Sequence, residues 1–175
     1  KDWTDASCPM SSDKTPLHNL WKAFDEAQFS PANTSPKLTD YADNGLFFRN
    51  APPDDLQGAV LAEVIVADGN QSAYILALDD AYGTGLANVV EAVLTAAGVE
   101  IKGKKIYDPK ATTFDAEVGE VVAANPDAIV LITFDEGSRI LRTMVENGVG
   151  PRAKKVYGVD GNIGNALGEN FDAGK

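Results

Sequence analysis

Three short stretches hold the side chains best suited to chemistry: Asp79-Asp80-Ala81-Tyr82-Gly83-Thr84-Gly85, Thr133-Phe134-Asp135-Glu136-Gly137 and Val159-Asp160-Gly161. Carboxylates dominate them, and the first two also carry an aromatic ring. Two kinds of work suit such a set. Asp79, Asp80 and Asp135 together would bind a hard divalent cation and accept a phosphoryl group, as in a receiver-like signalling domain. Alternatively, Tyr82 and Phe134 would flank a small solute while Asp160 faces its cationic group, with no bond made or broken, because acid and aromatic faces suit an ammonium. A purely structural role competes with both. Asp or Thr ahead of a helix accepts hydrogen bonds from its orphan amides and complements its dipole, and this accounts equally well for Asp79 and Asp135. The receiver reading also lacks the cation and hydroxyl that should end later strands to steady a phosphate, since Gly158-Val159-Asp160 brings another negative charge there.

Other chemistries are excluded by their missing parts. Gly83-Thr84-Gly85 resembles the start of a dinucleotide fingerprint, but Asn88 stands where the third glycine belongs, and Asp108 before Pro109 reads as a turn former rather than a ribose ligand. There is no GxxxxGK[ST] loop and no GxSxG elbow. With one cysteine, Cys8, and one histidine, His18, neither a disulfide framework nor a multi-histidine zinc centre can form within the chain. Cys8 reads as an incidental thiol and His18 as a packing side chain. No enzyme activity, metal or cofactor is expected. Asp and Glu total 26 against 15 Lys and Arg, a net charge of -11, which excludes nucleic acid as a partner and disfavours an anionic membrane surface.

Positioning three loops at one edge requires strands that end together. Thr15-Pro16 caps a short amphipathic helix carrying Leu17, Leu20, Trp21 and Phe24 and ending near Ala27. The turn-rich run from Phe29 to Asn44 then reads as a long connection between two bodies. Beyond it strands and helices alternate. Leu46-Phe47-Phe48 reads as a strand, and Pro53 opens a helix with Leu56, Val60, Leu61, Val64 and Ile65 on one face. Strand Ala73 to Leu78, a helix through Leu86, Val90 and Leu94, and strand Val99 to Tyr107 follow, the last weakened by Gly103. Thr113 caps the next helix, and Ala128 to Ile132 is an apolar strand buried on both faces. A helix from Ser138 to Asn147, strand Lys155 to Gly158 and a helical stretch around Ala166 complete the alternation. The fold class is therefore α/β, a three-layer doubly wound parallel sheet with helices on both sides. At 175 residues and 44% hydrophobic composition the chain can bury a sizeable core. No apolar run approaches the ~18 residues of a membrane span, and Lys1-Asp2-Trp3-Thr4-Asp5 is not a secretory apolar region.

The run Ser30-Pro31-Ala32-Asn33-Thr34-Ser35-Pro36, then Gly45-Leu46-Phe47-Phe48-Arg49, Asp54-Asp55-Leu56-Gln57-Gly58, Asp79 through Leu86, and Pro126-Asp127-Ala128-Ile129-Val130 resembles the extracellular solute-binding proteins of ABC importers, most of all the branched-chain-amino-acid-binding type. The likeness runs in continuous order from Phe29 to about Phe171. It implies a type I periplasmic-binding-protein architecture, in which two doubly wound lobes close on a ligand. Residues 1–44 would be an N-terminal segment with the hinge and a remnant of the first lobe, and 45–175 the second lobe. By the resemblance, Ala32 and Thr34 present a backbone amide and a hydroxyl to a ligand carboxylate, Tyr82, Phe134 and Asp160 line the second lobe, and Asp160 meets the ligand's amino group. Phe134 stands where the amino-acid binders usually have tyrosine. The implied protein is extracytoplasmic and non-enzymatic, needs no cofactor, and delivers an amino-acid-like solute to an ABC permease.

Overall fold

The computed structural model describes residues 27–164 and Leu167. The helix expected from Thr15 and the stretch around Ala166 lie outside the described residues. The first described strands, β1 (Gln28–Ser30) and β2 (Phe47–Arg49), pair in parallel as a sheet of their own, joined by a connection that includes a 3-10 turn at Pro36–Leu38. Helix α1 (Asp54–Ala67) leads from them into the main body.

That body alternates β3 (Ser72–Leu78), α2 (Ala81–Ala96), β4 (Glu100–Tyr107), α3 (Asp115–Ala124), β5 (Ala128–Ile132), α4 (Gly137–Glu146) and β6 (Lys155–Tyr157). Its four strands run parallel in the order β4-β3-β5-β6. Every residue of β3 and of β5 is buried, as expected of apolar runs covered on both faces, whereas β4 alternates exposed and half-buried positions as an edge strand does. The chain steps from β3 outward to β4 and then returns across β3 to β5. Right-handed crossovers put the two steps on opposite faces: α1 packs with α2, and α3 packs with α4. The reversal lies between β3 and β5, so the crevice at their carboxyl ends is where such a sheet binds ligands.

One core holds the layers together, with Ile75, Leu76, Leu86, Leu94, Ile129, Ile132 and Ile140 all at 1% exposure or less. Burying each stabilises the fold by roughly 1.5–3 kcal/mol before chain entropy is counted. At the opposite, amino-terminal edge Asp127 Oδ2 accepts hydrogen bonds from the Gln71 and Ser72 amides and the Ser72 hydroxyl at 2.9–3.0 Å, which holds β3 and β5 in register.

Two local expectations are corrected. Leu56, Val60 and Val64 do not form the buried face of α1, being 54%, 50% and 47% exposed; Asp54, Gly58, Ala62 and Ile65 do. The cause is close approach: a Cβ at Gly58 would lie 2.7 Å from Val89 Cγ1, so α1 meets α2 through its smallest residues. Thr113 does not cap α3 either. Phe114 takes the cap position, where its ring offers no acceptor for a cap bond and is instead fully buried edge-on against Tyr107, with centroids 5.4 Å apart.

Candidate functional site

Each of the three loops reaches the β3–β5 crevice through a local device. After β3, Asp80 caps α2 by accepting the Gly83 amide at 2.6 Å, which places Tyr82 in the helix's first turn over the strand ends. The capping role weighed for Asp79 belongs to Asp80. After β5, Phe134 donates its amide to Glu136 Oε1 at 3.1 Å, and the buried Tyr107 hydroxyl donates to the same oxygen at 2.9 Å. After β6, a 3-10 turn at Asp160–Asn162 is clamped by buried Asn162. Its amide donates to Leu131 O at 2.8 Å and Thr133 Oγ1 at 3.0 Å, and its carbonyl oxygen accepts the Val159 amide at 3.0 Å.

Tyr82, Phe134 and Asp160 therefore converge. The Tyr82 hydroxyl donates to Asp160 Oδ1 at 2.5 Å and accepts the Gly161 amide at 3.2 Å, and the Tyr82 and Phe134 rings stack with centroids 5.3 Å apart at 16°. Only a residue without a side chain fits at Gly161, where a Cβ would lie 2.9 Å from the Tyr82 hydroxyl and 3.0 Å from Phe134 Cε1. Burial above all, and then the bond to Asp160, push the Tyr82 hydroxyl well above its ordinary range, so it stays a neutral donor. Asp160 is exposed and presents its carboxylate at the rim.

The residues of the β1–β2 connection lie differently from one another. Thr34 is buried, and its carbonyl accepts the Asp54 amide at 2.8 Å. Ala32 is exposed, and its amide already donates to Ser30 Oγ at 3.3 Å. Arg49 pins the connection by donating to Ser35 O at 2.8 Å and Thr39 Oγ1 at 2.5 Å. An open cavity of about 540 Å³ separates Ser35-Pro36-Lys37 from Asp79, Asp80 and the first turns of α2. Asp135 lines a different hollow, of about 40 Å³, with Phe134 and Gly161. Among the described residues no three acidic, histidine or cysteine side chains gather where a metal could sit, and the three carboxylates of the receiver reading divide between the two hollows, Asp79 and Asp80 in one and Asp135 in the other.

Two residues of the site escape a reading from sequence. Asp54 is only 1% exposed; its Oδ1 accepts Gln57 Nε2 at 3.2 Å, while Oδ2 has no hydrogen-bond partner among the described residues. The Gln57 carbonyl oxygen in turn accepts the Asp160 amide at 3.0 Å. A continuous relay thus runs from Thr34 through Asp54 and Gln57 to Asp160 and Tyr82. Burial raises the Asp54 carboxyl to about 6, helped by the Asp160 charge and opposed by Thr34, Gln57 and Arg49. The only available signal was the spacing of Asp54 and Gln57, three apart on one helix face immediately after the hinge-like connection.

The family described as periplasmic binding protein matches residues 19–174 of this chain. No curated protein matches it. Among solved structures, a leucine-binding protein of Thermotoga maritima superposes with a TM-score of 0.74 at 23% identity, over 82% of this chain and 40% of its own. An ABC-transporter substrate-binding protein of Desulfitobacterium hafniense, in complex with Leu, gives 0.66 at 26% identity over 82% of this chain and 42% of its own. A solute-binding protein of R. palustris in complex with 4-hydroxybenzoate gives 0.76 at 12% identity, over 84% and 40%. The chain spans about two fifths of the length of these structures.

Proposed function

Because the chain belongs to the periplasmic-binding-protein family, we propose that it is the ligand-gripping α/β lobe of an ABC importer's solute receptor, binding a small polar solute outside the cytoplasm for delivery to a membrane permease. The role is binding, not catalysis. The observation that carries the reading is the Tyr82–Asp160 hydrogen bond of 2.5 Å beside the Tyr82–Phe134 stack, at the edge where the sheet's winding reverses. A neutral donor fixes the carboxylate beside an aromatic pair whose rings stack on each other rather than flanking a solute between them, and this leaves an acidic, partly apolar edge suited to an ammonium carried on a short apolar body.

The ligand class follows from charge. The relatives' solutes include leucine and 4-hydroxybenzoate. Here the Asp160 carboxylate at the rim repels an anionic aromatic acid and attracts an amine, so an amino acid or its amide is the favoured solute. In this reading Ala32 belongs to the facing edge and meets the solute's carboxylate or amide end, exchanging its bond to Ser30 for one to the ligand, while Thr34, buried against Asp54, would have to turn its hydroxyl from that carboxyl to reach the solute.

Titration of the chain with L-leucine, followed by NMR, tests this. Ring signals of Tyr82 and Phe134 are expected to move together and saturate, and D160N to weaken binding at least tenfold. Unmoved ring signals, or a D160N variant that binds equally well, would overturn it.

A further inference from the structure

The relay from Asp54 to Asp160 contains an imbalance that ligand binding can correct. Asp54 Oδ2 is buried with no hydrogen-bond partner among the described residues, Oδ1 accepts Gln57 Nε2, the Thr34 hydroxyl lies against the carboxyl, and the Asp160 carboxylate is close enough to repel its charge. Ionised, Asp54 places a second negative charge under the cleft floor with one oxygen unsatisfied; protonated, it removes that charge. Among the described residues the groups facing it are Thr34 from the β1–β2 connection, Arg49 from β2, Gln57 from its own helix and Asp160 from the turn after β6, with the Tyr82 hydroxyl of α2 beyond. Arg49 is the one cation in this set, and its guanidinium is already engaged by Ser35 and Thr39.

We propose that Asp54 is a specificity-determining residue: in mildly acidic solution its carboxyl holds a proton while the cleft is empty and releases it to solvent when a cationic group comes against Asp160. The exchange balances, since the neutral acid and an incoming ammonium become a carboxylate, the bound ammonium and one free proton. A cationic ligand is then held by two negative charges, whereas an anionic one meets a site that stays protonated beneath it. This rests on the ammonium reading above but goes beyond it, because Asp54 acts through Gln57 and Asp160 without touching the ligand. Amine affinity should rise about three- to tenfold between pH 5 and pH 7, as the proton to be displaced becomes scarcer.

The test follows the Asp54 side-chain carbon by NMR against pH in the ¹³C-aspartate-labelled chain, assigned with D54N, with and without high millimolar L-leucinamide, which is cationic throughout this range. Expected are a midpoint above the ordinary carboxylate range in the empty chain, a lower one in D160N, and a lower one when leucinamide is bound. An ordinary midpoint in the empty chain overturns the proposal. So does leucinamide that moves the Tyr82 ring signals while the Asp54 midpoint stays in place, and in that case the ammonium reading survives. Leucinamide that moves no ring signal overturns both.

Discussion

At the scale of single residues, Asp54 shows how a site and its fold pull against each other. Its carboxyl is raised from 3.8 to about 6, so the folded chain binds more protons than the unfolded one between those values, and stability falls as pH rises through them. A rise of that size costs the folded state about 3 kcal/mol at neutral pH. D54N removes the charge at the expense of an amide N–H₂ that must itself find a partner, so a gain of about 1–3 kcal/mol is expected at pH 7, fading to little near pH 4. Urea unfolding at the two pH values measures it. A D54N variant less stable than the parent at pH 7 would show that the buried charge is well satisfied after all. Tyr82, Phe134 and Asp160 were legible in the sequence because each directly follows a readable strand. Asp54 was not, because an aspartate in a helix's first turn is ordinarily an exposed, dipole-favoured residue, and only the packing of three other segments around it makes it buried.

At the scale of elements, β3 and β5 declared themselves as unbroken apolar runs, and their burial on both faces follows directly. The face of α1 did not. Leu56, Val60, Leu61, Val64 and Ile65 look like a core stripe, yet the contact with α2 is made around Gly58 and Ala62, leaving most of the larger side chains outside. Hydrophobic spacing reports which residues can be buried, whereas the distance of the neighbouring helix decides which are. Glycines in the helices divide on the same criterion. A Cβ at Gly119, inside α3, would meet nothing within 4 Å, so G119A should stabilise the chain by about 0.5–1 kcal/mol through helix propensity alone. G58A, whose added Cβ would meet Val89 at 2.7 Å, should instead cost about 1–3 kcal/mol. Paired thermal melts of the two variants decide this, and equal midpoints would contradict the packing.

At the scale of the whole molecule, the proposed site lies at one edge of the described sheet. The chain spans about two fifths of the length of its structural relatives, and a solute held by one lobe keeps much of its polar surface in water. If a facing lobe contributes two charge-assisted hydrogen bonds, each worth ~1.5–3 kcal/mol, their absence weakens binding by roughly two to four orders of magnitude. This chain alone is therefore expected to bind leucine, isoleucine, valine or their amides more weakly than micromolar. Calorimetry giving micromolar or tighter affinity for any of them would show that its own residues suffice. By itself the sequence determined the α/β alternation, the parallel sheet, the acidic character and the three loops that meet at its edge, because strand burial and strand ends are written in local runs of residue type. The tertiary structure alone decided that Asp54 lies beneath Asp160, that Gln57 joins them and that α1 turns its larger side chains outward. Those depend on distances between segments far apart in the chain, and no local pattern encodes such distances.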